Sequence, residues 1–246
     1  MVDKFEIYSK NLDRAVTYSF IKDSSTDVYI YLFDGQNLFD KEESYMKAIW
    51  DVKGALEKTG IKANVVGIYS PTDHNRANEY TPYESGDNIE EYPAKYPSYK
   101  PLGKQTGRFI VEELIGEVEK ENPASLRLIG GSSLGGLMSL YMGATYPEIF
   151  KRVLAMSSHF NINIFESGEF ISKYDKSNNQ KVYLDVGTKE YKDNEILSQS
   201  YVDLNKMVGG FLKDKVDLDF YVAEGGIHHE DAWADRLPQA LSFLLK

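Results

Sequence analysis

The residues best suited to do chemistry lie in Gly131-Ser132-Ser133-Leu134-Gly135. A serine hydroxyl is a weak nucleophile at neutral pH and needs an adjacent base. Here the serine stands in G-x-S-x-G, after the strand-length apolar run Leu126–Ile129 and before a helical pattern over Leu137–Tyr146 that stops at Pro147. Strand, tight turn and helix in that order make a nucleophile elbow. The flanking glycines allow strand and helix to approach closely, and the hydroxyl of Ser133 projects from the sheet edge. The N–H of Leu134 then points at a developing oxyanion near the positive end of the helix. A bare G-x-S-x-G is weak in a chain with 19 glycines, and the competing reading is a Gly-rich turn that simply starts a helix. The flanking pattern favours the elbow.

The chain has 4 histidines to act as base: His74, His159, His228 and His229. Elbow-built hydrolases run nucleophile, acid, histidine along the chain. His228 and His229 follow the run Leu218–Val222 and precede the last helical pattern, which is the right address, and only one of two sequence neighbours can face the serine. The cluster His228-His229-Glu230-Asp231 also carries metal-ligand types, but consecutive residues rarely converge on one ion, so no metal or cofactor is expected. The segment after Val182–Val186 offers Asp185, Glu190 and Asp193 as the acid. Asp185 lies inside the strand and reads as structural. Glu190, past the turn at Gly187, can reach back to orient an imidazole. A second oxyanion donor is expected from the turn at Asp34-Gly35, where the N–H of Gln36 or Asn37 can approach a reacting carbonyl.

These groups need elements to hold them. Phe5–Tyr8 and Val16–Ile21 read as an opening antiparallel pair. Val28–Phe33, Val65–Tyr69, Leu126–Ile129, Val153–Met156, Val182–Val186 and Leu218–Val222 read as buried strands. Helical patterns cover Phe109–Glu119, Leu137–Tyr146, Tyr201–Leu212 and Ala232–Leu245. The alternation predicts an α/β fold of one domain over 1–246, a mostly parallel sheet with helices on both faces. A Tyr- and Pro-rich stretch over about 71–107 has no clear period and reads as a pocket wall or lid.

The 246 residues are 42% hydrophobic, enough for a substantial core. A net charge of −10 argues against nucleic acid and anionic membrane surfaces as partners. The absence of cysteine excludes a thiol nucleophile and, with no apolar leader run and no membrane-length segment, points to a cytoplasmic protein.

Several stretches together resemble the putative esterase family of α/β-hydrolases, which includes esterase D and the enterochelin esterases. They are LFDGQNLFD, Arg76 with NEYTP, LIGGSSLGGLMSLYMGATYPEIF, LDVGTKE and GGIHHEDAWADRLPQALSFLL, and they span nearly the whole chain. The resemblance implies Ser133 as nucleophile. It implies His228 rather than His229, by its spacing from Gly226 and Trp233, and Glu190 as the acid. Where members often carry Ser-Pro after the strand at Val153–Met156, this chain has Ser157-Ser158-His159. His159, Asn37 and Arg76 are the candidate substrate contacts.

The expectation is a serine carboxylic-ester hydrolase working through an acyl-enzyme on a small-molecule ester. An acyltransferase or thioesterase on the same fold, and a non-catalytic hydrolase-like binding protein, are the alternatives. Short acyl, feruloyl, formyl-thioester and siderophore trilactone esters stay open as substrates, as does a homo-oligomeric state.

Overall fold

The computed structural model describes residues 2–72, 74–83, 100–162 and 164–246. Eight strands form one sheet in the order β1-β2-β4-β3-β5-β6-β7-β8: β1 Asp3–Ser9, β2 Arg14–Ile21, β3 Val28–Phe33, β4 Asn64–Ile68, β5 Leu126–Ser132, β6 Arg152–Met156, β7 Lys181–Lys189 and β8 Asp217–Ile227. The pairs β1/β2 and β2/β4 are antiparallel and all others are parallel. The chain therefore has the α/β-hydrolase architecture, with all eight strands at the expected places.

Side-chain alternation along a strand sorts the core into two layers. In β3, Tyr29, Tyr31 and Phe33 face one layer while Ile30 and Leu32 face the other. The second layer is covered by helices α1 (Val52–Thr59) and α7 (Glu230–Leu245). The first is covered by four others. Helix α3 starts at Gly103–Arg108 and passes through a π-helical segment Phe109–Leu114 into Ile115–Val118, and α4 is Leu134–Thr145. α5 is Ile164–Ile171 and α6 is Glu195–Leu212.

Three helices lack a clear sequence signal: α1, α5 and the short α2 (His74–Glu79). Helix α1 has only eight residues, carries Gly54 and buries only Val52 and Ala55, so its period has barely two turns in which to show. It is fixed by Asp51, whose carboxylate accepts from the N–H of Gly54. Of the wall or lid expected over about 71–107, residues 73 and 84–99 lie outside the described residues.

Candidate active site

Strand β5 delivers Ser133 to the carboxyl edge of the sheet. Its backbone has φ 56 and ψ −124, outside the regions an ordinary L-residue favours. Hydrogen bonds hold the turn there. Its N–H donates to the Met156 carbonyl at 2.9 Å, and its own carbonyl accepts from Leu137 and His159 N–H groups at 3.1 Å each. The turn also needs Gly131, where a Cβ would lie 2.7 Å from the Gly135 carbonyl carbon. The N–H of Leu134 opens α4, so no carbonyl of that helix can accept from it.

Parallel pairing of β7 with β8 carries Glu190 and His228 to the same edge. The two backbones nearly touch where they leave the sheet: a Cβ on Gly187 would come 2.2 Å from the Gly226 carbonyl oxygen. Glu190 is fully buried, and its Oε2 accepts from His228 Nδ1 at 2.6 Å. Its Oε1 accepts from the Gly187 N–H and the Ser157 hydroxyl, both at 2.6 Å. A carboxylate can only accept, so Nδ1 carries the proton and Nε2 of a neutral ring is left as the basic nitrogen. Trp233 and Tyr201 hold the imidazole edge-on, with ring centroids 5.0 Å and 5.7 Å away. Ser133 and His228 line one cavity of about 310 Å³ together with Asp34, Asn37, Arg76 and Glu230. His229 turns away; its Nδ1 accepts from the Asp231 N–H at 3.3 Å and caps α7.

The turn after β3 makes the opposite wall. Asp34 adopts the left-handed conformation (φ 56), and a Cβ on Gly35 would come 2.5 Å from Gly67 backbone. The Asn37 N–H is engaged by the Asp34 carbonyl at 2.8 Å, which leaves Gln36 as the candidate backbone donor of this loop. The Asn37 side chain instead donates to Glu230 Oε1 at 3.1 Å. Arg76 reaches the wall from α2, forms a two-pronged ion pair with Asp34 at 2.7 Å per contact, and lies over the Tyr80 ring.

His159 does not line the cavity; its Nδ1 is hydrogen-bonded to the Tyr201 hydroxyl behind His228. Burial, reinforced by the neighbouring His228 and Arg76, lowers its pKa to about 3, so the ring is neutral near pH 7. Asp185 is fully buried inside β7, where Arg236 clamps it at 2.7 and 3.1 Å. Burial pushes its carboxyl up in pKa and the guanidinium opposes this. Asp193 forms no part of the cavity wall.

Three residues of the neighbourhood escape sequence reasoning. Glu230 is buried in the cavity wall; burial raises its pKa, and its Oε2 has no hydrogen-bond partner among the described residues. Ser157 and Arg236 back Glu190, and no sequence pattern marks either of them for that role. Among the described residues no group of His, Asp and Glu side chains is arranged to hold a metal ion, and no helix is long and apolar enough to cross a membrane.

The family model described as "Putative esterase" matches residues 9–244. The chain belongs to this esterase family. As an esterase it is a hydrolase enzyme, and its substrate is a small molecule. A Bacillus subtilis (strain 168) relative, the uncharacterized protein YbbA, is 26% identical over 237 residues, covering 92% of this chain and 88% of the relative. Two solved structures share the fold at low identity. An IroE-like serine hydrolase from Shewanella oneidensis superposes with a TM-score of 0.76 at 16% identity, covering 97% of this chain and 79% of that one. The siderophore hydrolase EstA from Aspergillus nidulans gives 0.76 at 19% identity, covering 100% and 95%.

Proposed function

We propose that this esterase is a serine carboxylic-ester hydrolase, built as one domain over 1–246, that works through an acyl-enzyme on Ser133. The observation that carries the reading is the 2.6 Å contact between Glu190 Oε2 and Nδ1 of His228, which lines the same cavity as Ser133. With Nδ1–H tied to Glu190, Nε2 is the atom that takes the serine proton as Oγ attacks the ester carbonyl. The N–H groups of Leu134 and Gln36 stabilise the tetrahedral oxyanion. Imidazolium then returns the proton to the leaving alcohol. Water repeats the cycle against the acyl-serine and frees the acid. Asn37 and Arg76 line the cavity and are the proposed substrate contacts; His159, behind the imidazole, contributes through Tyr201 instead. The Arg76 end of the segment 71–107 serves as pocket wall.

Hydrolysis of p-nitrophenyl acetate tests this. Ser133→Ala and His228→Ala each lower kcat by about 10⁴-fold or more, whereas His229→Ala stays within a few fold of wild type. Retained turnover in Ser133→Ala, or a swap of the two histidine results, removes the assignment.

A further inference from the structure

Ser157 stands at the end of β6 with φ +46, a conformation that glycine adopts freely and serine does not. It is fully buried, and its hydroxyl touches three polar groups. The Trp233 Nε1–H is 2.9 Å from its Oγ, the Arg236 Nη2 is 3.5 Å from it, and Glu190 Oε1 is 2.6 Å away. The indole and guanidinium can only donate. The Ser157 oxygen must therefore accept from them, and its single proton is left to point at Glu190. The backbone of Ser157 is pinned too: its N–H donates to the Asp185 carbonyl at 2.9 Å and lies 3.2 Å from Asp185 Oδ1, and Arg236 holds that carboxylate. Two donors, the Ser157 hydroxyl and the Gly187 N–H, thus converge on Oε1 of Glu190 and leave Oε2 facing His228.

We infer that Ser157 is a positioning residue: its hydroxyl, oriented by the Trp233 indole, fixes the rotation of the Glu190 carboxylate and so the direction in which His228 presents Nε2. A left-handed backbone explains a glycine at this position; it does not explain a side chain there. The hydroxyl explains the side chain. A hydrogen bond to Glu190 also spreads its negative charge away from the imidazole, so removing the hydroxyl strengthens the pull of Glu190 on a protonated His228. The other titratable or charged groups around the pair are Glu230, His159 and Tyr201 near His228, Asp34 and Arg76 in the same cavity wall, and Asp185 and Arg236 behind Glu190. All of these side chains remain in a Ser157 variant.

The inference rests on the Ser133–His228–Glu190 reading, and Ser157→Gly tests it because glycine adopts this backbone freely and removes the hydroxyl. Two measurements apply: NMR titration of the His228 ring in the resting protein, and the pH profile of kcat/KM for p-nitrophenyl acetate. The expected result is a folded protein whose His228 titrates about half to one pH unit higher than wild type, with the acid limb moving alike. The kcat falls about tenfold while KM is little changed. Ser157→Ala, which keeps the Cβ, gives the same shift and serves if the glycine variant does not fold. A wild-type titration and kcat in either variant overturns the role; a downward shift together with the fall in kcat marks loss of the Glu190–His228 contact, which upholds the positioning and overturns only the charge argument. The NMR readout does not depend on the nucleophile. A shifted titration in Ser157→Gly beside an active Ser133→Ala therefore separates failure of the proposed function from failure of this inference.

Discussion

At the scale of single residues, the chemistry divides two histidines with opposite environments. His228 is partly exposed at a cavity wall and tied to a carboxylate. His159 is tied to a tyrosine hydroxyl and held neutral. The second arrangement has a consequence for stability. The folded pKa of His159, about 3, lies below the ordinary value of 6.5, so the unfolded chain takes up this proton first. Its share of stability is complete above about pH 6.5 and drains away as pH falls toward 3. Between pH 7 and pH 5, wild type should lose on the order of 2 kcal/mol more than His159→Gln in urea unfolding. Parallel losses in the two proteins contradict the neutral assignment. Of these residues, Ser133 and the His228/His229 pair were legible in the sequence because elbow and chain order constrain them. The choice of His228 over His229 needed family spacing, since sequence neighbours look alike until the strand end fixes which one faces inward. Glu190 was one of three carboxylates, set apart from Asp185 by the Gly187 turn; that Asp185 is clamped by Arg236, 51 positions further along, no local pattern reports.

At the scale of elements, the site depends on how closely strands and loops can approach. Val28–Phe33 and the other apolar runs were readable as strands because both faces of a central sheet are buried, and such strands need no alternation. Helices α1, α2 and α5 were not, because six to eight residues give the helical period too few repeats to stand out from a chance apolar cluster. The glycines at element ends carry information of another kind. Gly187 and Gly226 let the β7 and β8 exits meet, and that meeting delivers Glu190 to His228. Gly187→Ala must push the two exits apart, since the obstructing atom is backbone and cannot swing aside. The expected outcome is a loss of about 1–3 kcal/mol in stability and a kcat for p-nitrophenyl acetate reduced by at least tenfold. Wild-type kcat in a folded Gly187→Ala protein contradicts this account of the turn.

At the scale of the whole molecule, the sheet gathers at one edge groups that the sequence keeps far apart. Asp34 to Asn37 arrive after β3, Ser133 after β5, Ser157 after β6, Glu190 after β7 and His228 after β8. The order of strands is what makes them neighbours, and strand order is written in long-range pairings that a local pattern does not carry. The parallel sheet itself was predictable from alternation of strands and helices. The close packing of Ser157, Trp233 and Arg236 behind the carboxylate was not, because it joins β6 to α7 across the sheet. The account as a whole claims that this assembly activates one hydroxyl among all the serines of the chain. Intact-protein mass spectrometry after treatment with a fluorophosphonate measures that directly. The account predicts a single adduct per chain, mapped to the peptide containing Ser133, absent in Ser133→Ala and strongly slowed in His228→Ala. An unmodified wild-type protein, or an adduct that persists in Ser133→Ala, contradicts it.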